Sequence, residues 1–235
     1  MRMLNAKGNH SCVNEPFANS YQDGTFRTMA LESGIARALV ALWSVHNGLK
    51  HVWHPLGWPF PNGSHLNDAL LRATSCKIVF IYRKNILKRV ISHEIARQTS
   101  VWHADKPDDI KRRHAFHYSP IAFRTIESYM RNEESILDSK RAILKGTGND
   151  RLEIAYETLF DRGNLQDQLK TLNDVLAFLG LETFSIANLP KPIEYLLSPS
   201  AEESSEAIYS RVPHIDEIES RFGSPKTGYL FKAGE

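Results

Sequence analysis

Lys77-Ile-Val-Phe-Ile-Tyr-Arg-Lys-Asn-Ile-Leu-Lys-Arg-Val-Ile-Ser92 is the stretch that decides the fold. Lys77 to Tyr82 is nearly continuous in apolar and β-branched residues, the pattern of a strand buried on both faces of a parallel sheet. Asn85 can cap the helix that follows, which the pattern carries to about Arg97 with Ile86, Val90 and Ile91 turned to the core. Arg83 leaves the strand where the helix begins, so a cation and the unpaired amides of the helix start converge on one point, a combination that suits a phosphate. Ser92 follows two helical turns later, where a hydroxyl can add a donor. An ordinary surface arginine and a solvent-facing serine fit the same spacing, and the spacing alone leaves both readings open.

On the N-terminal side, residues 1–27 are polar and turn-rich and read as a loop. Leu31 to His46 carries Leu31, Ile35, Leu39, Leu42 and Trp43 at helical spacing and stops at Asn47-Gly48. Leu49 to His54 reads as a short strand, Pro55 to Ser64 as a loop, and Ser64 as the cap of a short helix through Leu71. On the C-terminal side, Ser119-Pro120 has the form of an N-cap with proline at the first helical position, starting a helix that reaches Leu144 and ends at Gly146. Leu152 to Tyr156 reads as a second strand. Leu165, Leu169, Leu172, Leu176 and Leu179 mark a helix closed by Gly180. From Ile186 the chain is rich in Pro and Ser until a short helix near Ile215 to Phe222. Strands alternating with helices predict an α/β domain around a parallel sheet, with ligands at the carboxyl ends of the strands, here Arg83 and Tyr156.

The 235 residues suit a single domain, and 42% apolar with 24% charged residues is an ordinary globular mixture. A net charge of +2 gives no ground for nucleic-acid binding, and Lys111-Arg112-Arg113 reads as a solvated helix face. Cys12 and Cys76 build neither a disulfide framework nor a metal set, which fits a reducing compartment. Met1 to His10 has no apolar signal-peptide core and no stretch is apolar enough to cross a membrane, so the expected location is cytoplasmic.

Several familiar sites fail on their spacing. His93-Glu94 opens like a zinc-peptidase helix, but Arg97 stands where the second histidine is required. Gly146-Thr147-Gly148 lacks the third glycine of a dinucleotide turn, and neither a Gly-Lys-Ser/Thr loop nor a Gly-x-Ser-x-Gly elbow occurs. The pairs His51/His54 and His114/His117 have no acidic or thiol partner nearby, so no metal is expected.

Ile81 to Trp102, with its Arg83, Ser92 and Ala96-Arg97-Gln98 run, resembles the 3′-phosphate-binding segment of bacterial sulfotransferases that use 3′-phosphoadenosine 5′-phosphosulfate (PAPS), closest to the nodulation-factor and trehalose types. Leu152-Glu-Ile-Ala-Tyr-Glu-Thr-Leu159 and Leu176-Ala-Phe-Leu-Gly-Leu181 are similar to that family's Tyr-Glu-Asp-Leu and Phe-Leu-Gly-Leu stretch. Leu4-Asn5 and Asn14-Glu15-Pro16-Phe17 resemble its upstream segment, and Gly48-Leu49-Lys50 and Arg221 to Phe231 are family-like more weakly. The resemblance implies a P-loop-NTPase-like parallel sheet flanked by helices. It implies that Arg83, Ser92 and Tyr156 bind the PAPS nucleotide, and that Glu15 is the general base or acceptor-binding carboxylate. The reaction implied is sulfuryl transfer to a hydroxyl of a carbohydrate, glycolipid or small molecule, without a metal. The family's 5′-phosphosulfate loop and first strand have no counterpart here, and Lys7-Gly8 stands where His-Pro is usual. The expectation is therefore one sulfotransferase-like domain over 1–235, short at its N-terminus relative to the family, with a catalytically inactive nucleotide-binding or interaction protein as the alternative. Glu15 precedes proline, which predicts extended backbone there.

Overall fold

The computed structural model describes residues 11–52, 58–60, 65–72, 76–102, 107–160, 164–197 and 206–231. Among these residues, helices and two small sheets make up a mixed α/β fold. It divides into two compact units: residues 1–78 with 135–151, and residues 79–134 with 152–235.

In the first unit, strand β1 (Cys12–Asn14) pairs in parallel with β2 (Gly48–Lys50), Val13 opposite Leu49. This corrects the reading of residues 1–27 as loop. A three-residue strand whose partner lies 36 residues away leaves no local pattern, and only Val13 of the three is buried. The helix expected over Leu31 to His46 is two: α1 (Thr25–Ser33) and α2 (Ile35–Trp43). They are separated by Gly34 at φ +86°, a backbone conformation that glycine adopts without the Cβ penalty. The break changes the buried face. Phe26 and Ala30 serve α1, while Leu31 is left exposed; Ile35, Ala38, Leu39 and Leu42 serve α2. These residues close a core with Phe17, Phe60 and Leu70, the last on α3 (His65–Arg72). His54, most of the expected Pro55 to Ser64 loop, and the Leu4 to Gly8 segment lie outside the described residues.

In the second unit, β3 (Ile78–Tyr82) pairs with β4 (Arg151–Ala155); one terminal residue of each strand belongs to the first unit. β3 is a strand as read, but it is not buried on both faces: none of its five residues is fully covered, and Ile81 is 53% exposed. Within the described sheet β3 has one partner strand, so its apolar run is only half covered. Helix α4 (Ile86–Thr99) follows, capped by Asn85 Oδ1 on the Lys88 amide at 2.8 Å. It buries Leu87, Val90, Ile91 and Ile95 against Ile126, Val212, Ile218 and Leu230. Helix α5 (Pro107–Ala115) carries the basic run read as a solvated helix face: Lys111 and Arg112 are exposed, while Arg113 turns in to donate to the Val101 carbonyl at 2.6 Å.

Ser119-Pro120 does not start a helix. The amide and carbonyl of Ser119 are both held by the Gln98 side chain, at 2.8 and 3.1 Å, which keeps the segment out of helical geometry. Helix α6 (Phe123–Gly146) begins four residues later and ends where expected. After β4 come α7 (Tyr156–Phe160), α8 (Leu165–Leu179), α9 (Lys191–Leu197) and α10 (Ile215–Phe222). Gly180 closes α8 at φ +78°, as read. α9 corrects the reading of the tail: Ile193 and Leu197 are a turn apart and both buried. No helix among the described residues is long and apolar enough to cross a membrane.

Candidate functional site

Arg83 and Tyr156 stand at the carboxyl ends of β3 and β4, and the pairing of those strands brings them together. The Arg83 guanidinium lies over the Tyr156 ring, 4.1 Å from its centre, and Phe160 packs on the same ring at 4.6 Å. Tyr156 is the first residue of α7 rather than the last of β4, which turns its side chain into this group. A guanidinium lying over a ring uses its face in the contact and can still donate through its edge. Among the described residues no carboxylate pairs with Arg83. The second unit therefore holds a cation over an aromatic face with no carboxylate partner among the described residues, a setting that suits phosphate.

The helix amides beside it are spent. The Glu157 carboxylate accepts from the Lys84 amide at 2.9 Å and the Asn85 amide at 3.0 Å. The Leu87 amide donates to the Thr227 carbonyl at 3.0 Å, and that of Lys88 to Asn85 Oδ1. The sequence reading of unpaired amides converging on Arg83 is thus corrected: a side chain and a returning loop fill them. Gly228 sits against Asn85 so closely that a Cβ there would collide with the Asn85 amide group. Asn85 Nδ2 in turn donates to the Tyr229 carbonyl at 2.7 Å. Lys84, Glu157, Thr158, Lys226 and Gly228 line an open cleft of about 680 Å³ at this end of the unit.

Ser92 is half-buried on α4, and its hydroxyl meets the Tyr209 hydroxyl at 2.7 Å. A hydroxyl donates once and accepts twice, so Ser92 can accept from Tyr209 and keep its own proton for a ligand oxygen.

Glu15 belongs to the first unit. Its amide donates to the Lys50 carbonyl at 2.9 Å, continuing the β1–β2 ladder, and Lys50 Nζ contacts its Oε1 at 3.0 Å. Its side chain is 15% exposed, so it is not a solvated loop carboxylate. The backbone departs from expectation: Glu15 has φ +51°, not the extended geometry that a following proline favours. The ladder bond on one side and the Ala18 amide on its carbonyl, at 2.9 Å, pin this conformation. A non-glycine residue there costs about 1–3 kcal/mol and is held only where surrounding structure enforces it.

Sequence reasoning gave no role to Lys50, Glu157 or Tyr209. Glu157 was in view, adjacent to Tyr156 in the Tyr-Glu pair; Tyr209 carries no local signal at all.

A family model for Stf0 sulphotransferases matches residues 52–209, more than half of the chain. The chain belongs to the Stf0 sulphotransferase family. The matched span includes Arg83, Ser92, Tyr156 and Tyr209, while Glu15 and Lys50 lie N-terminal to it. Membership in the Stf0 family supports a sulfotransfer role in general terms. No curated protein and no solved structure matches this Stf0-family chain.

Proposed function

We propose that this protein transfers the sulfuryl group of PAPS to a hydroxyl of a carbohydrate, glycolipid or small-molecule acceptor in the cytoplasm, on a P-loop-NTPase-like sheet. The observation that carries this reading is the Arg83–Tyr156 pair at the strand ends, a cation over an aromatic ring with no carboxylate partner among the described residues. Arg83 and Ser92 serve the 3′-phosphate and Tyr156 the nucleotide. Glu15 takes the proton of the acceptor hydroxyl as its oxygen bonds to sulfur. The sulfur–oxygen bond to the 5′-phosphate breaks, and adenosine 3′,5′-bisphosphate leaves with the electron pair. A carboxylate held beside a lysine and largely out of water suits a positioned base.

A second reading, a nucleotide-binding protein without turnover, is favoured by one observation: Glu157 closes the amides of Lys84 and Asn85 that would otherwise face an anion. Release of adenosine 3′,5′-bisphosphate from PAPS, followed by chromatography with and without a panel of hydroxyl compounds, separates the two. Acceptor-dependent release supports transfer; nucleotide binding without release supports the second reading.

A further inference from the structure

His51 follows Lys50 at the end of the β1–β2 ladder, one residue past the point where the Glu15 amide meets the Lys50 carbonyl. Its Nε2 lies 2.8 Å from Asn67 Oδ1. Asn67 is fully buried on α3, and its Nδ2 donates to the Trp58 carbonyl at 3.4 Å, which turns the amide oxygen toward the imidazole. An amide oxygen only accepts, so Nε2 carries the hydrogen and Nδ1 is left as a bare lone pair. Nδ1 is out of contact with solvent and has no hydrogen-bond partner among the described residues. Phe17, also fully buried, meets the ring edge-on. Burial favours the neutral ring, against the pull of the Glu15 charge.

A buried acceptor without a donor costs about 1–3 kcal/mol, so such an atom calls for a missing partner, and a ligand hydroxyl is one that can supply it. We propose that His51 is a substrate-contacting residue of the acceptor subsite, its neutral Nδ1 accepting a hydrogen bond from a hydroxyl of the acceptor beside Glu15. Asn67 is then a positioning residue that fixes the tautomer. This rests on the reading of Glu15 as the acceptor-side carboxylate.

Two substitutions isolate the atom. His51→Gln keeps a donor at the Nε2 position for Asn67 and removes Nδ1; His51→Asn keeps a polar atom at the Nδ1 position and loses the Asn67 bond. PAPS turnover is measured with the fastest acceptor among methyl glucoside, glycerol and hexanol, or with water if none is faster. The proposal expects His51→Gln to raise the acceptor KM or lower the rate about 3–10-fold, the loss of one hydrogen bond, with affinity for adenosine 3′,5′-bisphosphate unchanged. His51→Asn retains more activity than His51→Gln despite a lower melting temperature. The reverse order, Gln active and Asn not, makes His51 structural and overturns the proposal. Nitrogen NMR of histidine-labelled protein gives a readout independent of turnover: a proton on Nδ1 overturns it outright. Glu15→Gln run in parallel separates the failures, since loss there without the Asn-over-Gln order sinks only the His51 role. The Asn-over-Gln order with Glu15→Gln fully active keeps the His51 contact but sinks Glu15 as the base, and with it the placing of that contact beside Glu15.

Discussion

The guanidinium of Arg83 stacks on the ring of Tyr156, 4.1 Å from its centre. The contact joins the carboxyl ends of two paired strands, and it holds a long side chain in one place before any ligand arrives. Preorganisation of this kind lowers the ordering cost of binding. Replacing Tyr156 by leucine removes the π face and keeps an apolar body. Affinity for adenosine 3′,5′-bisphosphate should then drop by about 0.5–2 kcal/mol, the range for a cation–π contact, as read by calorimetric titration. Unchanged affinity would mean that the stack positions nothing.

Glu15→Gln keeps the side-chain shape and the acceptor oxygen that Lys50 contacts, and removes the base. A general base contributes about 10²–10⁴-fold, so turnover should drop within that range while nucleotide affinity stays as in the parent. Equal turnover in the two proteins returns Glu15 to a purely structural partner of Lys50.

Glu157 ties α7 to the start of α4 through two amides. Its replacement by alanine resembles the loss of a helix cap, about 0.5–2 kcal/mol. At about 2–4 °C per kcal/mol for a chain of this size, a thermal melt should show a drop of several degrees. The same variant frees the amides of Lys84 and Asn85, so binding of inorganic phosphate should hold steady or strengthen. Weaker phosphate binding would show that Glu157 supports the anion site rather than filling it.

The strand–helix unit around Arg83 was legible because every signal in it is local: a β-branched run, an Asn cap, then a 3.6-residue period. The Gly180 stop and the helix Ile215–Phe222 were legible for the same reason. What escaped was non-local. β1 exists only because Gly48–Lys50 pairs with it, and the Ser119 segment is kept out of a helix by Gln98 from another element. The site followed the same rule. Arg83 and Tyr156 stood out as strand ends, whereas the filling of the α4 amides depends on Glu157 and Thr227, 72 and 140 residues from their partners. Glu15 could be named but not shaped, because its left-handed backbone is set by a ladder that the sequence did not reveal.

Burial lowers the pKa of His51 and of His93 below the ordinary 6.5. Below that pH the unfolded chain binds protons that the folded chain refuses, so stability is full above about 6.5 and is lost as pH falls through the folded values. Glu133, raised by burial above 4.5 against the pull of Arg89, acts in the opposite sense: its contribution is lost as pH rises through its folded value. Urea midpoints at pH 7.5 and 5.5 should therefore be lower at 5.5 in the parent, with a smaller difference in His51→Gln. An identical difference in both proteins would show that His51 does not titrate as its burial requires.

The central claim is that Arg83 holds the 3′-phosphate of the PAPS nucleotide. Calorimetric titration of the parent and of Arg83→Ala with adenosine 3′,5′-bisphosphate and with adenosine 5′-monophosphate tests it most directly. The account predicts that the parent binds the bisphosphate more tightly than the monophosphate. Arg83→Ala should weaken the bisphosphate by about 1.5–3 kcal/mol, the range for a hydrogen bond to a charged group, and leave the monophosphate nearly unchanged. Equal losses for both nucleotides, or a parent that does not distinguish them, would contradict it.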